Sequence, residues 1–225
     1  QAASVGVLAP AALAYATTGA HRTRGYSAVL IAAAMPADAQ SLEEAWLSAR
    51  GQTDAGVAQR HKRLLGDALA ELIARAHAGG LFHRDLHVGN ILIFPHNGSM
   101  TAAMVDLHNA SLRKGISLSG VRGNLVQLNQ WFALHASRTE RLRFLKQYCR
   151  RVADLLSARG NVAAFISQEF GHKALAWYVL KVSRRYAARL YAKRDRRILK
   201  RNKYFATLAL PEGWSKRRQR TSFFT

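Results

Sequence analysis

The sequence predicts an α+β fold: a mostly helical C-terminal lobe at about 37–210, a small strand-bearing remnant before it at 1–36, and a basic tail at 211–225. Three observations predict it. Leu65, Leu69, Leu72, Ile73 and Ala76 recur at helical spacing within 57–77, which reads as one long amphipathic helix. Two short apolar runs, 91–94 and 100–105, flank Asn97-Gly98, and Asn-Gly between such runs is a strong signal for a β-hairpin. Beyond 124 the chain reads as successive helices at about 124–134, 139–158 and 162–191.

The elements follow in order. Residues 5–9 and 11–16 read as strand or loop around Pro10, and 26–33, with Val29, Leu30 and Ile31, as a buried strand that Pro36 breaks. Ser41-Leu42-Glu43-Glu44 has the form of a capping box, serine at the N-cap and glutamate three residues on, and opens a short helix to about 47. Residues 51–56 form a loop. The long helix ends at Gly79-Gly80, because glycine tolerates the left-handed cap. Residues 109–123 are polar and basic and read as a loop, and Thr139-Glu140 places an acid at the start of the next helix, where the dipole favours it.

Between the long helix and the hairpin lies His83-Arg84-Asp85-Leu86-His87-Val88-Gly89-Asn90, which fits H-R-D-L-x-x-x-N, the catalytic loop of kinase-like phosphotransferases. Met104-Val105-Asp106-Leu107-His108 follows the second apolar run. Phosphoryl transfer needs a carboxylate near the acceptor hydroxyl, and metal ions to neutralise the β- and γ-phosphates. Asp85 is placed to accept the proton or orient the hydroxyl. Asn90 offers a neutral oxygen and Asp106 a charged one to Mg²⁺, a hard cation. His87 stands where it reaches a phosphate or the acceptor, and His83 anchors the loop by hydrogen bonds. Arg113, Lys114 and Arg122 are candidate contacts for phosphate on the acceptor.

Thirty-four Lys and Arg against thirteen Asp and Glu give a formal net charge of +21. Such a field attracts polyanions: nucleic acid, anionic headgroups or a phosphorylated glycolipid. No nucleic-acid motif is recognisable, which disfavours the first. Fifteen of the cations fall between Lys181 and Arg220, against Asp195 and Glu212. The helix carrying the start of that run has an apolar stripe at Leu175, Val179, Val182, Tyr186 and Leu190, read as core. The basic remainder suits an anionic membrane surface. The single Cys149 excludes an internal disulfide and a cysteine-rich zinc site, and reads as a packing residue. No transmembrane span or signal peptide is visible in the sequence.

The motif residues are similar to those of the lipopolysaccharide kinase family, the Kdo/heptose kinases of the lipopolysaccharide core. Asp106-Leu107-His108 suits that family better than the Asp-Phe-Gly of protein kinases, and 112–115 and 122–129 are similar to it as well. The resemblance implies a protein-kinase-like fold and transfer from ATP, with Mg²⁺, to a sugar hydroxyl of the inner core. It implies Asp85 as catalytic base, Asn90 and Asp106 as metal ligands, and backbone groups at Ala33 to Met35 facing the adenine. It also implies an anionic glycolipid substrate and a cytoplasmic protein, peripheral on the inner face of a bacterial inner membrane. His87 with Gly89-Asn90 is similar to aminoglycoside and choline phosphotransferases too, although a cationic acceptor calls for an acidic pocket. One departure stands out. There is no G-x-G-x-x-G before residue 83 and no lysine before Lys62, which falls in a helix. The expectation is a truncated small lobe, with a pseudokinase bearing a basic binding surface as the alternative.

Overall fold

A computed structural model describes residues 2, 6–18, 27–113, 118–157, 172–199, 205–210 and 213–218. Strands β1 (Ala12–Thr18) and β2 (Ser27–Ala32) form an antiparallel pair. Of the strand expected to be buried, the described side chains at Ile31 and Ala32 are exposed, and those of Val29 and Leu30 lie outside the description. Leu13 and Ile31 are 66% and 54% exposed, because the pair forms a two-stranded sheet that leaves these side chains uncovered by the described residues.

Strand β3 (Gln40–Ser41) leads into α1 (Leu42–Arg50). The capping box is formed: the Glu44 N–H donates to Ser41 Oγ at 3.2 Å, and the Ser41 N–H donates to the Glu44 carboxylate at 2.9 Å. The Ser41 hydroxyl, at 2.8 Å, and then the Ser41 N–H donate to the Glu44 carboxylate and lower its pKa. Helix α2 (Ala55–Ala78) starts on Asp54, whose carboxylate accepts from the N–H groups of Gly56 and Val57. Its predicted apolar face is buried at every position named above. The left-handed residue after it is Gly80, φ 79°, one place later than the cap itself.

Strand β4 (Leu81–His83) then pairs with β7 (Ala110–Leu112). Between them stand β5 (Ile91–His96) and β6 (Ser99–Met104), joined by Asn97 and Gly98 with φ of 48° and 74°. Positive φ at both central residues marks the type I′ turn, whose twist matches the strands it joins. Sheet order is β3-β5-β6, all antiparallel.

Helix α3 (Leu118–His135) begins six residues earlier than the sequence predicts, so the expected loop at 109–123 is shorter and is partly strand. The tertiary contact that holds this first turn is the approach of Gly120 to Phe82: an added Cβ would lie 2.5 Å from the Phe82 ring. Helix α4 (Arg138–Ser157) starts on a second capping box, Ser137 with Glu140. Burial raises the Glu140 carboxyl pKa, but the hydrogen bonds from Lys62 and Ser137 outweigh it and lower it. Lys62 itself lies in α2, 2.6 Å from Glu140.

Helix α5 (His172–Leu199) buries Leu175 and Val179; farther along the predicted stripe, Val182 is half-buried and Tyr186 is 37% exposed. The stripe therefore contributes to the core only in its first turns, and the Leu190 side chain lies outside the description. Cys149 is half-buried, and burial pushes its thiol up to about 11, as a packing residue requires.

The chain divides into two compact units, 1–180 and 181–225. Within the second, β8 (Phe205–Leu210) pairs with β9 (Gly213–Arg218). The segment expected to start a basic tail at 211 thus contributes a strand, with Trp214 opposite Ala209. Among the described residues, no helix is long and apolar enough to cross a membrane.

Candidate active site

His83 organises the site. It ends β4, and its ring is 1% exposed. Its Nδ1 accepts from the Asp85 N–H at 3.1 Å, which places the ring proton on Nε2, and Nε2 donates to the Asp106 carbonyl at 2.9 Å. One neutral imidazole thereby ties the backbone of both predicted acidic residues. His83 and His87 stand four residues apart, but both His83 nitrogens are engaged, so the two do not form a metal pair.

Asp106 sits in the left-handed region, φ 57° and ψ 51°, at the start of a short 3-10 turn, Leu107–Asn109. Aspartate tolerates this conformation better than most residues. It turns the Asp106 carbonyl toward His83, and the carboxylate is half exposed and hydrogen-bonded to His108 Nδ1. Asn90 is buried at 7% exposure, and its Nδ2 donates to the Asp85 carbonyl at 3.1 Å. That bond fixes the amide, so Oδ1 is its remaining polar atom. Among the described residues no protein donor reaches it. Asp85, Asn90 and Asp106 are in this way drawn into one hydrogen-bonded group.

The Asp85 side chain is 64% exposed, and among the described residues it is at ion-pair distance from His87 alone, whose Nε2 is 3.9 Å away. The Gly89 N–H donates to His87 Nδ1 at 3.1 Å, which directs Nε2 toward Asp85. The other predicted residues are more dispersed. Arg113 follows β7, exposed, with its guanidinium 5.6 Å from the centre of the Phe82 ring. Lys114 lies outside the described residues. Arg122 is not a loop cation: it lies in α3 with its guanidinium 4.5 Å over the Tyr178 ring. Ala33 and Met35 are half-buried, and the Ala33 N–H is committed to the Ala11 carbonyl at 2.7 Å.

The sequence reading missed Asn124. His83 pairs with Ala110 at a position where its own N–H and C=O point away from β7, as the flanking bond from the Arg84 N–H to the Asn109 carbonyl shows. The Asn124 carboxamide takes both: the His83 N–H donates to Oδ1 at 3.2 Å and Nδ2 donates to the His83 carbonyl. Asn124 Nδ2 also reaches Gln127 Oε1, and Gln127 Nε2 donates to the Arg84 carbonyl. An aspartate at 124 would offer no donor to the His83 carbonyl. No local pattern marks this asparagine, since its partners lie 41 residues away.

The donor set fits a magnesium ion. Mg²⁺ takes oxygen ligands, commonly one or two carboxylates with substrate phosphates and waters, and Asp106 with Asn90 supply a carboxylate and a neutral oxygen. No cluster of three His, Cys, Asp or Glu side chains occurs among the described residues, and this kind of site does not need one. A small, largely apolar cleft of about 50 Å³ lies elsewhere, lined chiefly by side chains of α2, α3 and α4. Asp85, Asn90 and Asp106 do not line it.

The solved structure "WaaP in complex with acyl carrier protein" superposes with a TM-score of 0.55 at 24% identity, over 77% of this chain and 72% of that one, which shows the shared fold. No curated protein matches the sequence. Residues 1–148 match the model of the Lipopolysaccharide kinase (Kdo/WaaP) family. With about two thirds of its length inside that match, the chain belongs to the lipopolysaccharide kinase (Kdo/WaaP) family.

Proposed function

We propose that the protein transfers the γ-phosphate of ATP to a sugar hydroxyl of the lipopolysaccharide inner core, at the inner face of a bacterial inner membrane. The observation that supports this most is the joining of Asp85, Asn90 and Asp106 through His83 and the Asn90 amide. In this reading Asp85 accepts the acceptor hydroxyl's proton at its carboxylate. Its exposure leaves room for a bulky glycolipid, and His87 Nε2 lies on the same side. Asp106 and Asn90 hold Mg²⁺, which neutralises phosphate charge when bound. The Ala33 carbonyl and the Met35 backbone face the adenine, since the Ala33 N–H is already taken. Arg113 and Lys114 contact phosphate on the acceptor, and the net charge of +21 favours an anionic glycolipid over a cationic aminoglycoside.

The test is label transfer from ATP by the full-length gene product to dephosphorylated lipopolysaccharide core, an aminoglycoside panel and a generic protein. We expect label on the core sugar. Label only on another acceptor would overturn the substrate, and no label anywhere would overturn the kinase reading in favour of a pseudokinase.

A second reading concerns a partner. The similar solved structure is of a complex with acyl carrier protein, and that supports proposing such a partner here. We expect the purified protein to bring down an acyl carrier protein identifiable by intact-mass measurement, and recovery of none would refute this partner.

A further inference from the structure

Behind Asn124 the hydrogen bonds continue into the core. His77, in the last turn of α2, is 1% exposed and sits between α3 and α4. Its Nδ1 is 2.8 Å from the Tyr148 hydroxyl on α4, and its Nε2 is 3.3 Å from Asn124 Oδ1 on α3. Oδ1 is an acceptor, so the ring proton is on Nε2 and the Tyr148 hydroxyl donates to Nδ1. Tyr148 thus donates to His77 and His77 to Asn124 Oδ1, which also accepts from the His83 N–H, while Asn124 Nδ2 donates to the His83 carbonyl; the His83 ring in turn accepts from the Asp85 N–H and donates to the Asp106 carbonyl.

We propose that His77, with Tyr148 behind it, is a positioning residue for the Asp85 loop, acting through the Asn124 carboxamide that clamps His83. The role rests on the reading of Asp85 as the acceptor-facing carboxylate. Packing alone does not call for this chain. The His77 ring stacks on Phe82 at 5.4 Å and meets Tyr148 edge-on at 5.6 Å, contacts a phenyl ring would make equally well. Buried polar side chains are costly unless every bond is made, and a fully made network specifies one arrangement where apolar packing tolerates several. Here the arrangement specified is the loop carrying Asp85. Burial also pushes the His77 pKa down to about 4, so the ring is neutral near pH 7, with one donor and one acceptor as the chain requires.

The experiment compares His77→Phe, His77→Gln and Tyr148→Phe with the unaltered full-length protein, reading kcat, KM for ATP and amide hydrogen exchange over residues 81–90. His77→Phe keeps both ring contacts and removes both hydrogen bonds. Tyr148→Phe removes only the hydroxyl and serves if the first variant does not fold. We expect kcat to fall about tenfold in each Phe variant with KM for ATP within twofold, and exchange at His83 and Asp85 to quicken at least tenfold. His77→Gln, which keeps a donor and an acceptor, should recover part of both. Unchanged kcat or unchanged exchange in a folded Phe variant overturns the proposal. If Asp85→Asn retains turnover, the catalytic reading of Asp85 fails on its own, and the relay then stands or falls by exchange alone.

Discussion

Replacing Asp85 with Asn is expected to lower kcat by about 10²–10⁴-fold, the range over which a positioned general base contributes, while the protein keeps its fold and its affinity for ATP. The two halves of that expectation come from different atoms of one residue. The carboxylate points outward, 64% exposed, with His87 Nε2 at 3.9 Å, so exchanging an oxygen for an amide nitrogen disturbs no packing among the described residues. The backbone does the structural work: the N–H donates to His83 and the carbonyl accepts from Asn90, and both bonds survive the substitution. Asp106→Asn should be as damaging to turnover but should also weaken Mg²⁺-dependent ATP binding, because it alters a ligand rather than the base. Measuring kcat, KM for ATP and thermal midpoint together separates the cases. Turnover within a few-fold of the unaltered protein in Asp85→Asn would remove Asp85 from the chemistry.

The parts of this site that were legible in the sequence are those whose cause is local. Asn97-Gly98 fixes a two-residue turn through its own φ preferences, and the hairpin follows. Ser41 and Glu44 bond to each other across one turn, so α1 starts where the sequence says. The H-R-D-L-x-x-x-N loop is a run of eight residues, and the hairpin between them brings Asp106 back to it. The Ser137–Glu140 box is equally local, and its S-x-x-E pattern stands in the sequence. What could not be read is the support behind the loop. Strands β4 and β7 have three residues each, too few for alternation to show. Helix α3 starts at Leu118 because Gly120 lets it approach Phe82, a tertiary contact that overrides glycine's weak helix propensity. Asn124, His77 and Tyr148 meet across separations of 47 and 71 residues, and a lone histidine in an apolar helix face gives no sign of its partners.

Acid should expose that hidden support as a loss of stability. The His77 pKa is lowered from 6.5 to about 4, first by burial, which disfavours the imidazolium, with the Asn124 hydrogen bond opposing in part. Between those two values the unfolded chain binds a proton at this residue and the folded chain does not. Stability therefore rises with pH across the window and is lost as pH falls from about 6.5 toward 4. At about 1.4 kcal/mol per pKa unit the whole window is worth about 3 kcal/mol, a large share of a domain's usual stability. Other shifted groups act elsewhere or in the opposite sense. The lowered Glu140 and Glu44 carboxyls contribute stability above their ordinary 4.5 and lose it only as pH falls below that value, and Asp67, raised by burial against its nearby arginines, gains stability on acidification. The measurement is urea unfolding at several pH values between 7 and 4 for the unaltered protein and for His77→Phe, which has no proton to bind. The unaltered protein should lose stability more steeply, by about 3 kcal/mol across the window, and the variant should become the more acid-resistant of the two even though its loop is less well held. Parallel curves would mean that His77 titrates alike in both states, and that it is not the buried neutral link on which the geometry of the Asp85 loop depends.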